Sequence, residues 1–212
     1  MTCVGRLAFP IFAFMIAEGC YYTSNVKKYM LRLFLFAIIS EIPFNLIMGS
    51  SVFYPFHQNV LWTFLLGVLS IQIIEKAKKK QKKWISFFVV CLVLLMDFLL
   101  GTITMVDYNA AGILTVLLFY FFRKKTWISF AAQLVGLYYL NVVMLGNLYY
   151  PVTILGHHFE IAQQSFALLA LIPIWLYHGE QGYHSKWFKY FCYAFYPVHL
   201  LILVVIWQWR IR

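Results

Sequence analysis

Residues 1–19, MTCVGRLAFPIFAFMIAEG, form an apolar run with Arg6 near one end and Glu18 near the other. The run has the length of a membrane span, because about 20 apolar residues cross the hydrocarbon core of a bilayer. It differs from a cleavable signal peptide, since no small-residue cleavage site follows and another apolar segment begins almost at once. The stretch therefore predicts the first span of a larger membrane bundle.

Composition places the whole chain in the same class. Hydrophobic residues make up 63% of its 212 residues, charged residues make up 11%, and the mean hydropathy is +0.78. Soluble domains are about a quarter charged, so a separate water-soluble domain is excluded. We predict an all-α, polytopic transmembrane bundle that forms a single domain over residues 1–212. The net charge of +10 lies mostly in short connections between apolar runs, which argues against a nucleic-acid partner.

The apolar runs predict about eight spans, connected by short polar segments. Their expected bounds are 4–20, 28–48, 59–75, 84–105, 108–122, 127–146, 161–177 and 189–208. Several of these runs are shorter than a full crossing, so the bounds are approximate by a few residues.

The connections alternate in charge along the chain. The basic ones contain Lys27 and Lys28, the stretch EKAKKKQKK at 75–83, RKK at 123–125, and Lys186 with Lys189, whereas the segments 49–58, 101–109 and 146–160 contain no Lys or Arg. The positive-inside rule therefore predicts that the basic connections are cytoplasmic and that the other three face outward. The six lysines of 75–83 are read first as this topology signal, although they can also hold an anionic lipid or the phosphates of a nucleotide-like donor.

Several familiar sites are missing from the sequence. The four cysteines are scattered without a C-x-x-C pair, and the adjacent His157 and His158 do not have metal-site spacing, so we predict no metal. The chain also lacks a G-x-S-x-G elbow, a P-loop and a dinucleotide fingerprint, which argues against serine hydrolase, ATPase and oxidoreductase functions.

Ionisable residues within the predicted spans are more informative, because a charge in hydrocarbon is costly and usually pairs or lines a cavity. They are Arg6, Glu18, Arg32, Glu41, Asp97 and His199. We expect them to face the bundle interior, with Arg6 or Arg32 paired to Glu41 or Glu18.

Proline accompanies two of these residues. SEIPFN at 40–45 places Glu41 before Pro43, and FYPVHL at 195–200 places His199 after Pro197, so each segment predicts a kinked helix beside an ionisable group. One such segment alone favours a structural kink. Two of them, together with HQN at 57–59 and DY at 107–108 at predicted outward helix starts, favour a functional site.

Five segments in chain order resemble blocks of the TraX family: GRLAFPIFAFMIAEG, KKYMLRLFLFAIISEIPFNL, HQNVLWTFLLG, DYNAAGILTVLLFY and KYFCYAFYPVHLLIL. The resemblance covers nearly the whole chain. It implies an integral membrane acyltransferase of the bacterial inner membrane, since the founding type is associated with acetylation of the N-terminal amine of a pilin subunit. It also implies cytosolic acetyl-CoA as the donor, whereas the acceptor can be a peptide amine, a glycan hydroxyl or a lipid.

Acyl transfer needs a base for the acceptor, donors for the tetrahedral oxyanion and a shielded path for the thioester. We predict His199 as the acid/base group, because imidazole titrates near neutral pH. Glu41 can orient a histidine or receive the acceptor amine, and Arg6 can stabilise developing charge. The substrate-binding candidates are Arg32, His57, Gln58, Asn59, Asp107 and Tyr108.

Two other classes of function fit the same residues. A small transporter or exporter would use the intramembrane charges to line a substrate route, although no internal repeat is visible. A non-catalytic assembly partner would keep the fold without the chemistry. The resemblance further implies one more helix, with an Asp-His pair, before the block at 5–19. We therefore expect a truncated start, loss of activity in this form, and a groove about one helix wide, roughly 10 Å, near Arg6 and His199.

Overall fold

The computed structural model describes residues 2–146, 148–154, 157–180 and 185–211, and over these residues the chain is a helical bundle. Its α-helices are α1 (Thr2–Tyr22), α2 (Val26–Gly49), α3 (Val60–Lys80), α4 (Lys83–Ile103), α5 (Asn109–Phe121), α6 (Trp127–Leu137), α7 (Leu171–Leu176) and α8 (Lys186–Ile211). A π-helix, Tyr138–Met144, continues α6, and a 3-10 helix, Gln163–Ala170, leads into α7.

The predicted all-α class is confirmed, and each predicted span coincides with a helix. In the part of the chain that the structure describes, five helical segments are long and apolar enough to cross a membrane: Val26–Gly49, Val60–Lys80, Lys83–Ile103, Trp127–Met144 and Tyr190–Trp209. Asn109–Phe121 and Gln163–Leu176 are shorter apolar helices. Of the eight expected crossings, five therefore have the required length and composition among the described residues, and α1 is not one of these five.

Two paired β-strands lie in and just after the connection 146–160. Its strands, β1 (Tyr149–Ile154) and β2 (His157–Ala162), pair antiparallel from Tyr149 opposite Ala162 to Ile154 opposite His157. Aromatic and β-branched residues are dense in this segment, and these residue types favour strands.

Side-chain caps fix where three helices begin. Asn25 accepts a hydrogen bond from the Lys28 N–H at the start of α2, and Thr126 accepts one from the Ser129 N–H at the start of α6. Asn59 does the same for the Leu61 N–H at the start of α3. Asn and Thr are favoured at this position because their side chains satisfy N–H groups that the first helical turn leaves unpaired.

The first helix lies at the centre of the bundle. It packs against α5, α3, the 3-10 helix and α7, while α2 packs against α3 and α8. Ala13 and Ala17 of α1 are buried, which allows close helix packing. The tightest approach joins α4 to α5, since a Cβ at Gly101 would lie 2.6 Å from backbone atoms of Ala110.

Large apolar side chains cover the outside of the bundle. On α4, Phe87 is 71% exposed and Ile103 is 73% exposed, and α2 and α8 carry similar outward rows. Such surfaces are rare on soluble monomers and are the normal lipid-facing surface of a membrane helix. The chain is a membrane protein with a small interior, and most of the predicted site residues are at least partly buried in it.

Candidate functional site

Most of the predicted site residues gather at one end of the bundle, where the connections 50–59 and 104–108 lie. We call this the neutral end, and we call the opposite end, with connections 81–82 and 122–126, the basic end. The two neutral-end connections are joined by backbone hydrogen bonds: the Gln58 N–H donates to the Met105 carbonyl (3.0 Å), and the Asp107 N–H donates to the Gln58 carbonyl (2.9 Å). Gln58 and Val106 thus form a parallel bridge, which fixes His57 beside Asp107.

Among the described residues, hydrogen bonds reach only one of the two carboxylate oxygens of Glu41. Its Oε2 accepts hydrogen bonds from Asn59 Nδ2 and from Trp62 Nε1, the latter at 3.0 Å. Its Oε1 is buried and has no hydrogen-bond partner among the described residues. A buried carboxylate with one unsatisfied oxygen carries a desolvation cost that a donor on a bound ligand would relieve.

Asn59 is the buried residue that organises this end of α3. Besides capping the helix, it donates through Nδ2 to the Ala37 carbonyl of α2 at 2.9 Å. It is completely inaccessible to solvent. The same side chain therefore sets the start of α3 and the position of the Glu41 carboxylate.

His57 and Asp107 form a hydrogen-bonded pair. Nε2 of His57 lies 3.4 Å from Oδ1 of Asp107, with side chains 36% and 30% exposed, and the imidazole stacks on Phe44 at 5.6 Å. The hydrogen bond that Asp107 accepts raises the pKa of His57, partial burial opposes this, and the charges of Asp107 and Glu41 add to the rise. In the tautomer with the proton on Nε2, the imidazole donates to the Asp107 carboxylate and Nδ1 is available as the proton acceptor.

Arg6 and Tyr108 complete the cluster. Burial raises the pKa of the Tyr108 hydroxyl, and the charge and hydrogen bond of Arg6 oppose that rise. The Tyr108 ring stacks on Phe9 with centroids 3.8 Å apart. Tyr108 and Asn109 have φ values of 62° and 46°. Two successive non-glycine residues in the left-handed region are costly, and such backbone is concentrated at functional sites.

Two predicted residues lie outside this cluster. Arg32, nearer the basic end of α2, donates through Nε to the Tyr193 hydroxyl at 3.0 Å. His199 is exposed on α8 and stacks on Phe195 at 5.7 Å. Within the described part of the chain His199 makes no hydrogen bond to the cluster, so its catalytic role stays a prediction.

The predicted pairing of Arg6 or Arg32 with Glu41 or Glu18 is wrong. Glu18 pairs with Arg123, whose Nε and Nη2 lie 2.5 and 3.1 Å from the two carboxylate oxygens. Glu18 and Arg6 are twelve residues apart on α1, or roughly 18 Å at about 1.5 Å per residue. Glu18 therefore lies at the level of the basic end, where α5 ends. Glu41 is instead hydrogen-bonded by the uncharged donors of Asn59 and Trp62.

The predicted inward orientation is correct for most of the ionisable residues. Arg6, Glu18, Arg32 and Glu41 are partly buried and Asp97 is buried, where it accepts a hydrogen bond from Ser70 Oγ at 2.6 Å. His199 is the exception.

Sequence reasoning missed two members of the cluster, Trp62 and Tyr196. Trp62 follows the cap residue Asn59 by three positions, a helical spacing that places both on one face. Tyr196 of α8 lies near the start of α3 and within electrostatic reach of Glu41 and Asp107. Tyr196 lies three residues before His199 in the sequence, and this spacing was the available signal. The histidine was selected instead because its side chain is ionisable.

No group of three or more His, Cys, Asp or Glu side chains among the described residues is arranged to hold a metal ion. The side chains of His157 and His158 lie outside the described part of the structure.

Comparisons with known proteins identify relatives of this chain. The family model described as TraX protein matches residues 1–207. A protein from Dichelobacter nodosus, named as probable fimbrial assembly protein FimC of serogroup H1, is 26% identical over 208 residues, which cover 94% of this chain and 80% of that protein. No solved structure matches the chain.

Proposed function

The chain belongs to the TraX family, and from this membership we propose that it is an integral membrane acyltransferase that acetylates an amine of an envelope acceptor. The donor in this proposal is acetyl-CoA, and the acceptor is the N-terminal amine of a pilin-type subunit. The fimbrial assembly name of the relative supports an acceptor of this class. The protein would lie in the bacterial inner membrane with its basic end in the cytoplasm.

The observation that carries the proposal is the unsatisfied oxygen of Glu41 beside the His57–Asp107 pair. Glu41 Oε1 and, one turn further along α2, Asn45 Oδ1 are both buried without a hydrogen-bond partner among the described residues. Two acceptors of this kind suit a ligand that brings several N–H donors, which an N-terminal ammonium does. A candidate base, His57, lies at the same end of the bundle, within the electrostatic reach of Glu41.

The chemistry follows from these positions. Neutral His57 takes a proton from the ammonium that Glu41 holds, and the amine nitrogen then forms a bond to the thioester carbonyl carbon. Arg6 and the Tyr108 hydroxyl stabilise the oxyanion of the tetrahedral intermediate. As the C–S bond breaks, the nitrogen loses its second proton to water and the amide is released, while the first proton, held on His57, passes to the thiolate. Asp107 orients the imidazole and stabilises its protonated form.

A transfer assay with matched variants tests the proposal. Purified protein in nanodiscs is mixed with labelled acetyl-CoA and a peptide that carries the free N-terminus of a pilin-type subunit, and N-acetylation is measured by mass spectrometry. We expect His57→Ala to lower the rate by about 100-fold or more, the usual contribution of a general base. Glu41→Gln should raise the apparent KM for the peptide and lower kcat.

The control for Glu41→Gln is Glu160→Gln, which removes an exposed carboxylate of β2 and should leave the rate unchanged. A parallel His199→Ala variant separates the two histidines. Wild-type rates in His57→Ala together with a large loss in His199→Ala would refute the assignment of His57 as base. No transfer by the wild-type protein to any amine acceptor would refute the enzymatic function.

A further inference from the structure

An open cavity lies at the basic end, at the opposite side of the bundle from the cluster around Glu41. Its volume is about 190 Å³, room for roughly six waters at about 30 Å³ each. Tyr22 and Trp175 contribute aromatic walls, and Glu18, Arg123 and Lys125 contribute charge. The cavity is thus both aromatic and ionic.

The charge of this cavity is positive. Glu18 neutralises Arg123 through two hydrogen bonds. Lys125 has no carboxylate within ion-pair distance among the described residues, and its Nζ donates to the carbonyls of Trp175 (3.0 Å) and Tyr177. An ammonium has three N–H donors, so one remains for a ligand. The side chain of His178 is exposed and also lines the cavity.

The geometry points to a phosphate site: we propose that this cavity binds the phosphate groups of a soluble nucleotide-type thioester donor, of which acyl-CoA is the example. This inference rests on the proposed acyltransferase function. Lys125 would contact a phosphate oxygen through its remaining N–H group, since phosphate oxygens bind most strongly to cationic donors. The rings of Tyr22 and Trp175 offer faces on which a purine can stack.

The position of the cavity sets a requirement on the ligand's shape. Glu18, which lines the cavity, is roughly 18 Å along α1 from Arg6 at the other site, from twelve residues at about 1.5 Å each. A ligand whose phosphates lie here and whose thioester reaches Arg6 must be long and flexible between these groups. An acyl-CoA has this form, because a pantetheine arm separates its phosphates from its sulfur.

Binding measured without any acceptor tests the inference independently of catalysis. Protein in nanodiscs of zwitterionic lipid is titrated with coenzyme A by calorimetry, and inorganic pyrophosphate is used as a competitor. Lys125→Gln should weaken coenzyme A binding by about tenfold, the effect of one charge-assisted hydrogen bond. The matched control is Lys124→Gln, which removes the same charge at the next, exposed position outside the cavity lining and should leave the affinity unchanged.

Several results would overturn the inference. Equal effects of Lys124→Gln and Lys125→Gln, or no effect of either, would show that the cavity does not bind the donor. Failure of pyrophosphate to compete with coenzyme A on the wild-type protein would also show that the cavity does not bind the donor. This competition experiment does not depend on whether Lys125→Gln folds. Loss of coenzyme A binding when phosphatidylglycerol is added to the nanodiscs would assign the cavity to a lipid headgroup.

The two proposals fail separately. Lys125-dependent binding of coenzyme A without acetyl transfer would leave the cavity assignment standing and remove the enzymatic function. Acetyl transfer together with an unaltered coenzyme A affinity in Lys125→Gln would leave the enzymatic function standing and remove the cavity assignment.

Discussion

The pair between Glu18 and Arg123 should be a measurable contributor to the stability of the bundle. It joins α1 to the end of α5 through two hydrogen bonds of 2.5 and 3.1 Å, with side chains 13% and 26% exposed. The perturbation is a double-mutant cycle that combines Glu18→Gln and Arg123→Gln. The cycle isolates the interaction between the two side chains from their other contacts.

The magnitude follows from burial and geometry. Exposed ion pairs contribute about 0 to 1 kcal/mol, and removing one partner of a fully buried pair costs about 3 to 5 kcal/mol. This pair is intermediate in burial and bidentate, so we expect a coupling free energy of about 2 kcal/mol. Arg123→Gln should cost roughly 1 kcal/mol more than Glu18→Gln, because the guanidinium also lies 3.6 Å from the centre of the Tyr21 ring.

The assay is reversible unfolding in mixed micelles, followed by tryptophan fluorescence, with the free energy of unfolding measured for all four proteins. Lys124→Gln is the control, since it removes a neighbouring exposed charge and should change the free energy by less than about 0.5 kcal/mol. A coupling below about 0.5 kcal/mol would refute the reasoning, because the pair would then behave as one on the open surface.

Two further outcomes are expected. Asp107→Asn should lower the pKa of His57, which NMR titration of the imidazole would measure, and an unchanged titration would contradict the assigned hydrogen bond. Because the pair raises the pKa of His57 in the folded state, it stabilises the protein at low pH, and this contribution is lost as pH rises through the folded pKa. Gly101→Leu should lower the free energy of unfolding by about 2 kcal/mol or more, since a side chain there meets the backbone of Ala110. Gly5→Ala is the control because nothing lies within 4 Å of its Cβ position, and equal effects of the two changes would exclude the close approach of α4 and α5.

The sequence predicts the class of this fold well because lipid imposes a strong constraint on it. Each span must be apolar over a long run, so hydropathy alone places the helices. Polar residues at helix starts were also informative: Asn59 and Asp107 are costly unless satisfied, and both lie in the cluster at the neutral end.

What the sequence does not supply is the arrangement of the helices around one another. Whether Glu18 meets Arg6 or Arg123 depends on which helix lies beside α1 and at what height, and no local pattern encodes that. Tyr196 was overlooked for the same reason, since its partners come from α2, α3 and the loop before α5. His199 was predicted as the base because of its chemistry alone, and the chemistry of a residue does not show which face of a helix points inward.

The small bridge between Gln58 and Val106 has a consequence for how rigid the pair of His57 and Asp107 is. Opening it would break two backbone hydrogen bonds, at about 1 kcal/mol each, and expose the buried Val106 side chain, at about 2 kcal/mol. A cost of about 4 kcal/mol corresponds to roughly one open molecule in a thousand, since about 1.4 kcal/mol is a factor of ten. Imidazole and carboxylate are therefore already aligned before any ligand arrives, and an incoming acceptor does not have to supply the free energy of bringing the two loops together.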